Sequence, residues 1–396
     1  MSVWQVEASS VAERTWDVIV VGGGPAGALA ALYLARGGSS VLVLERETYP
    51  REKVCGDALI ADSIRVLDRA GLLGQVETSA VSTTTSQLFS PSQIELVISG
   101  RALVIKRCHL DGLLGQAAAS AGATVAHAHV ERVESGEIAS VTVRSKHTPF
   151  KSKIAIIATG ADVRLLAPLG MVERSKPSLI AVRRYIRSTA RIDKLVFSFD
   201  RRIAPGYAWL FPLPDGEYNV GCCTAYGERR TDLADVLERF VHEFEPLREF
   251  AAGITHEGPL RGALLRCGLK GTMPWQPPNV LAIGESIGAT FPFTGEGVGK
   301  AMETGERAAA VALRALKTNN LSILATFPSE IAALRPRYRG YELAEKWIAR
   351  PYLVDVISRL MRRSRYAMAC AEAVVNETCD PREIFSLRGL WKMLRA

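Results

Sequence analysis

No stretch of the 396 residues approaches eighteen consecutive apolar positions without a charge, so the sequence offers no membrane-spanning helix. Residues 1–15 are polar, carry both charge signs and lack the apolar run of a secretory signal. A cytoplasmic location is therefore expected, with peripheral attachment to a membrane left open. The seven cysteines are odd in number and scattered, at 55, 108, 222, 223, 267, 370 and 379; apart from the adjacent pair Cys222 and Cys223, nothing among them suggests metal-ligand spacing. Free thiols in a reducing compartment follow, and no metal centre is expected. Zinc-finger spacing and an RNA-binding aromatic motif are also missing. The net charge of +8 thus points away from nucleic acid and toward acidic cofactors or lipid headgroups. What remains, 48% hydrophobic and 23% charged residues, is ordinary for a globular protein long enough to build two or three lobes.

The most informative stretch is 16–46, which reads as a strand, a turn, a helix and a second strand. Asp17 to Val21 is a β-branched run suited to a strand buried on both faces. Gly22, Gly24 and Gly27 then match G-x-G-x-x-G: the first permits a tight turn, the second admits a pyrophosphate to the backbone, and the third lets helix and strand pack closely. Pro25 and Ala26 open a helix whose unpaired N–H groups form an anion site, and Gly37 and Gly38 stop it. The second strand, Ser40 to Leu44, ends at Glu45, where an acid can accept both hydroxyls of an adenosine ribose. A 2′-phosphate would be repelled there, favouring NAD or FAD over NADP, although the neighbouring Arg46 weakens that exclusion.

Thr48 to Asp57 reads as a charged loop lying over the cofactor, narrowing to Lys53, Cys55 and Gly56 before a helix over Ala58–Ala70. Cys55 is placed to touch a flavin or substrate, but on residue type alone a buried small thiol in a turn is the stronger reading. Strands are expected at Ser86–Phe89 and Ile94–Ile98, a helix at Arg107–Ala121, and strands at Thr124–Val130, Val141–Arg144 and Lys153–Ala158. The last of these breaks at Thr159 and Gly160, which suits either backbone close to a cofactor or an ordinary strand end. Roughly 180–265 reads as a second lobe of antiparallel strands with a helix at Leu233–Phe250. Its clearest hairpin, Tyr207–Cys222, turns at Pro214-Asp215-Gly216. Alternation puts Tyr207, Trp209 and Phe211 on one sheet face, either as a substrate wall or as plain core.

Val280–Ala310 carries the third signal, a strand ending in Gly284-Glu285, a Gly/Pro-rich loop and a small-residue helix from about Gly297. This second helix N-terminus can face the far end of a long dinucleotide, and Glu285 can hold a ribityl hydroxyl. NAD has no ribityl chain, so FAD is the favoured cofactor. Residues 321–396 read as helical and basic, with Arg359, Arg362, Arg363 and Arg365 beside Leu360 and Met361. A solvated helix face is the first reading; docking on an anionic membrane or a partner protein is the second.

GGGPAG at 22–27, K-V-C-G at 53–56, Y-A-W-L-F-P at 207–212 and G-E-S-I-G through P-F-T-G-E-G-V at 284–298 together resemble the geranylgeranyl reductase family, within the para-hydroxybenzoate hydroxylase-like flavoproteins. The resemblance implies an α/β fold: a Rossmann-like FAD-binding domain in three parts, 1–80, 106–165 and 275–320; an antiparallel-sheet substrate domain in two, 81–105 and 166–274; and a helical C-terminal region, 321–396. It implies that Gly22, Gly24, Gly27, Glu45 and Arg107 bind FAD, that 284–298, including Gly295, Gly297 and Val298, close over its ribityl chain and ring system, and that Cys55 lies near the flavin. Tyr207, Trp209, Phe211 and Phe293 would line the substrate cavity, with Cys55, Tyr207 and Trp209 as the catalytic candidates. The superfamily usually has Gly-Asp where this chain has Gly284-Glu285. The halogenase partner motif with two tryptophans is absent, and so is a second G-x-G-x-x-G for nicotinamide. Electrons are therefore expected from transient NAD(P)H or a separate reductase. The implied function is reduction of carbon–carbon double bonds in an isoprenoid or similar apolar substrate. The alternatives are a monooxygenase, hydroxylase or halogenase-like, acting on an aromatic or on a residue of a partner protein, and a flavin-containing binding or maturation factor without turnover.

Overall fold

The structure, a computed structural model, describes residues 4–135, 141–145, 148–227 and 231–395; residues 1–3 of the polar N-terminal stretch lie outside these. Its first sheet runs in the order Gln5–Glu7, Thr124–His127, Val41–Glu45, Thr15–Val21, Thr148–Ile157, Val280–Ala282. All neighbours along that path are parallel, and Trp275–Gln276 closes the edge in the antiparallel sense. Parallel strands covered on both faces must be apolar throughout, and Val18, Ile19 and Val20 are wholly buried. Thr15–Val21 lies between Val41–Glu45 and Thr148–Ile157, which the chain reaches by connections running in opposite directions across the sheet. That is the switch point at whose carboxyl end α/β sheets form their binding crevice.

Two helices begin at that same end. Pro25–Arg36 and Val298–Lys317 pack side by side, and the contact is close because the facing residues are small. A Cβ on Gly305 would lie 2.3 Å from the carbonyl oxygen of Ala26, so only glycine fits where the helices touch.

The second sheet runs Ile254–Glu257, Leu179–Ser188, Glu217–Ala225, Ala208–Pro212, Leu195–Ser198, Val81–Phe89, Glu95–Val104, Ala58–Leu59, with Arg261–Leu265 also pairing Leu179–Ser188. Its pairings are antiparallel except for Leu195–Ser198 against Val81–Phe89, a parallel pair within the expected antiparallel lobe. The C-terminal helices Pro351–Arg363 and Arg365–Val375 pack on Glu95–Val104, where Leu96 and Ile98 share a core with Ile357, Met361 and Ala371. No helix among the described residues is long and apolar enough to cross a membrane.

Several expected boundaries are corrected. Ala58–Leu59 is not the start of a helix but a short strand paired with Val104 and Leu103, and the helix begins only at Ala61. Tertiary pairing overrides helix propensity at those two positions. The expected helix over Leu233–Phe250 is three pieces, Leu233–His242, a 3₁₀ turn at Glu245–Leu247 and Arg248–Ala252. Pro246 cannot continue the first piece, having no N–H and a ring that clashes with the preceding turn. The strand from Thr124 stops at His127, while Val81–Phe89 and Glu95–Val104 are longer than the runs that announced them.

Candidate functional site

Every catalytic, cofactor-binding or substrate-binding candidate named from the sequence except Gly27 lines one cavity of about 680 Å³ at the carboxyl end of the parallel sheet, within the usual size range of ligand sites. The three glycines meet different surroundings. Gly22 has φ +103°, and a Cβ there would lie 2.4 Å from the carbonyl oxygen of Ala158. Gly27 faces inward, its missing Cβ falling 1.9 Å from the carbonyl oxygen of Gly22, so it serves packing rather than the cavity wall. Gly24 caps Pro25–Arg36 with no side-chain hydrogen bond, leaving the first N–H groups of that helix turned to the cavity.

A cation that the sequence reading passed over stands at this helix end. A Cβ on Gly24 would lie 3.0 Å from a terminal guanidinium nitrogen of Arg51. Arg51 pairs with Asp111 at 2.6 Å and faces Glu45 at 3.7 Å, yet its buried Nε has no hydrogen-bond partner. Arg107 is held by Asp111 through two bonds of 2.8 and 2.9 Å. Glu45 accepts from the N–H of Gly23 at 2.7 Å and from that of Glu47 at 3.1 Å, and each oxygen keeps capacity for a second donor such as a ribose hydroxyl. Arg46 is more exposed and faces Glu47 and Asp162 at the rim. Unfilled space over a glycine turn, unpaired helix N–H groups and an under-bonded buried arginine form a cradle that fits a dinucleotide pyrophosphate.

Across the cavity, a polar network fixes the loop that carries Cys55. The indole N–H of Trp209 donates to Asn219 Oδ1 at 2.9 Å; the Asn219 amide donates to the Cys55 carbonyl at 2.8 Å and to Asp57 Oδ2 at 2.7 Å. Asp57 also accepts from the Tyr185 hydroxyl at 2.8 Å and the Arg107 backbone N–H at 3.1 Å. Strand register places Asn219 opposite Phe211, so the hairpin brings the amide to the loop. Gly56 lets that loop lie on the aromatic face: a Cβ would meet Phe211 at 3.2 Å and Trp209 Nε1 at 3.6 Å. Burial pushes the Cys55 thiol up from its usual range, opposed in part by the Arg107 guanidinium, so at neutral pH it is a thiol and not a thiolate.

Tyr207, Trp209 and Phe211 form a continuous wall with Phe197, with neighbouring ring centroids 5.1–6.1 Å apart. The Tyr207 hydroxyl donates to the Thr294 carbonyl, tying this wall to the loop that precedes Val298–Lys317. Glu285 accepts from the Arg266 N–H at 3.3 Å, and its other oxygen lies 3.5 Å from where a Cβ would sit on Gly160, so the longer acid reaches the Thr159–Gly160 turn. Gly295, at φ +68°, and Gly297, which caps Val298–Lys317, open a second helix N-terminus to the cavity. Phe293 stands between Tyr341 and Phe385, with centroids 6.5 and 6.4 Å away. Between the two glycines, Glu296 also lines the cavity, and the sequence reading named its neighbours but not this acid. Burial and nearby carboxylates raise its pKa to about 8.

All seven cysteines are free. Among the described residues Glu238, His242 and Glu257 come together as three groups that could hold a metal ion, but Arg184 already pairs with both glutamates and none of the three lines the cavity.

Comparisons with known proteins bear on the family, the fold and the cofactor. Residues 15–158 match the FAD binding domain family. The chain is 30% identical over 356 residues to the menaquinone reductase of Mycobacterium tuberculosis, covering 83% of this chain and 82% of that one. It is 30% identical over 318 residues to digeranylgeranylglycerophospholipid reductase 1 of Methanopyrus kandleri, covering 78% and 83%. Among solved structures, a geranylgeranyl bacteriochlorophyll reductase-like protein of Thermoplasma acidophilum shares the fold with TM-score 0.77 at 22% identity over 96% of both chains. A flavin-dependent brominase shares it with TM-score 0.75 at 16% identity over 96% of this chain and 98% of that one.

Proposed function

The chain belongs to the geranylgeranyl reductase family of FAD-dependent oxidoreductases, and from that premise we propose that it reduces carbon–carbon double bonds in an isoprenoid or comparably apolar substrate. FAD is its cofactor, and when bound and reduced it supplies a hydride. The Gly22–Gly27 turn, the helix N-terminus at Pro25 and Arg51 would hold the pyrophosphate. Glu45 would take the adenosine ribose; Arg107, Glu285 and the Gly295–Val298 segment would hold the remainder.

The observation that carries the substrate class is where the cavity goes beyond the aromatic wall. It continues between Val81–Phe89, Glu95–Val104 and the C-terminal helices, past Leu88, Ile98, Ile357, Met361, Val374 and Ile384. Among the lining residues of those strands and helices the one charged side chain is Arg101, which pairs with the exposed Glu77. A channel of this kind holds its ligand by burying apolar area, roughly 25 cal/mol per Å², and suits a prenyl chain better than a small polar aromatic. The names of the two sequence relatives support the same class. The wall and the network through Asn219 orient the Cys55 loop and keep water from the reacting carbon.

The test is anaerobic incubation of the dithionite-reduced holoenzyme with menaquinone and with geranylgeranyl lipids, read by mass spectrometry. Two hydrogens that the substrate keeps after any quinol has been reoxidised to the quinone are expected. Product that forms only when oxygen is admitted, carrying an added oxygen atom, would replace the reductase reading with a monooxygenase. Comparing NADH, NADPH and a separate reductase as sources of flavin reduction identifies the physiological donor.

A further inference from the structure

Saturating a double bond takes a hydride and a proton, and the cavity wall holds an acid, Glu296, with an oxygen that no hydrogen bond engages among the described residues. Glu296 sits between Gly295 and Gly297 at the start of Val298–Lys317. Its Oε2 is sealed from solvent and has no hydrogen-bond partner among the described residues. The nearby cation is committed elsewhere: Lys300, itself 1% exposed, lies over the Phe291 ring at 4.1 Å and pairs with Asp62 and Glu377. Asp62 is pressed against the helix start, for a Cβ on Gly299 would lie 2.0 Å from its Oδ2. Three carboxyl groups thus share one buried ammonium. Two further cations reach the cluster from its edge: Arg65, half exposed, pairs with Glu377 at 3.2 Å, and Arg337, paired with Glu303, also faces Glu377. The other titratable groups facing Glu296 are the Tyr207 hydroxyl from the hairpin and the Tyr341 hydroxyl from Arg335–Ile348, neither of which brings a positive charge.

A half-buried carboxylate beside two like charges, with one oxygen sealed off and unpartnered, is unfavourable, and the group is held as the neutral acid. Three other acids of the wall are engaged: Asp57 accepts three hydrogen bonds, Asp62 has Lys300, and Glu285 has the Arg266 N–H.

We infer that Glu296 is the general acid of the reduction, donating its carboxyl proton to the substrate carbon that does not receive the hydride. The inference rests on the reductase reading above. As the π bond opens, its electron pair forms a C–H bond with the Glu296 proton while the hydride and its electron pair, from reduced FAD, form the second. The substrate gains two hydrogens, the flavin loses two electrons, and the carboxylate left behind regains its proton from water. Activity is therefore present below a pH of about 8, where Glu296 is protonated, and falls as pH rises through that value.

The experiment uses dithionite-reduced holoenzyme and menaquinone across a pH series, together with infrared spectra of the protein without substrate. Glu296→Gln is expected to bind FAD as before, lose about 10²–10⁴-fold in rate and lose the alkaline limb of the profile. The infrared band of a protonated carboxyl should disappear above pH ~8 in the wild type and be missing in E296Q. Asp62→Asn removes one of the competing charges and frees Lys300 toward Glu296, so the alkaline limb should move to lower pH; this variant carries the test where E296Q loses its flavin. An E296Q protein with wild-type rate and profile overturns the acid while leaving the reductase reading intact. A wild-type enzyme that adds no hydrogens without oxygen overturns the reading itself.

Discussion

Trp209→Phe should loosen the Cys55 loop without removing the aromatic wall. Among the described residues the indole N–H is the one donor to Asn219 Oδ1, and Asn219 is fully buried. Phenylalanine leaves that oxygen unsatisfied in a dry site, which costs about 1–3 kcal/mol. It also vacates part of the ring volume packed over Gly221, where a Cβ would come within 2.3 Å of the indole. Complete truncation of a buried tryptophan costs about 3–5 kcal/mol, so a partial one brings the expected total to about 2–4 kcal/mol. Urea denaturation, followed by intrinsic fluorescence and by flavin release, measures it. Because the Asn219 amide holds the Cys55 carbonyl, kcat/KM should fall by up to about 10²-fold as the loop shifts. A double-mutant cycle with Asn219→Leu isolates the pair, with a coupling of about 1 kcal/mol or more expected. If W209F unfolds at the wild-type midpoint and the cycle shows no coupling, the network does not fix the loop and the wall is plain packing.

Arg51→Met should weaken FAD binding about tenfold or more through loss of a charge-assisted contact, measured by fluorescence titration. It should also lower stability by about 3 kcal/mol, the lower end for breaking a buried pair, because Asp111 keeps its two bonds to Arg107. Cys55→Ser should retain FAD and lose rate. The wild-type thiol should be alkylated more slowly at pH 7 than a free cysteine, with a labelling midpoint above pH ~8.5, since burial disfavours the thiolate. Leu387, Trp391 and Leu394 stand 80%, 52% and 65% exposed on Leu387–Arg395, beside Arg388 and Arg395. Cosedimentation with anionic vesicles at low salt is expected, reversed by high salt and abolished by Leu387→Asp combined with Trp391→Asp; an unchanged pellet in the double variant would refute it.

Backbone demands were the most legible part of this chain. Gly22 and Gly27 are dictated by a turn and a close approach within a few residues, so spacing alone announced them, and the two helix starts facing one cavity followed from the same logic. What depends on distant pairing was not readable. Arg51 lies in the loop that drew attention for Cys55, but its role appears only when Asp111 and Glu45 arrive from other elements. Asn219 is set by hairpin register, which the turn at Pro214–Gly216 implies only in outline. The helix beyond His242 was overextended because Phe240, Val241, Phe244, Leu247 and Phe250 keep a helical spacing and share one core even though the chain is broken between them. Core burial needs the right face at the right position, and three short pieces can supply it as well as one long one.

Glu296 was hidden for a further reason. An acid flanked by two glycines reads as a loop residue, and its chemistry is created by Asp62 from one helix, Glu377 from the C-terminal region and the single Lys300 they share. The C-terminal region therefore contributes to both ends of the site. Its helices supply the apolar channel through Ile357, Met361 and Val374, and the turn after them supplies a charge that keeps the cavity acid neutral. A substrate chain filling that channel would bury the region's apolar face and hold Glu377 against Lys300. In the proposed reduction, binding of the chain and readiness of the proton are in this way consequences of one packing arrangement, because a segment that reads as an ordinary basic helical tail lines the same cavity as the residues proposed to hold the flavin.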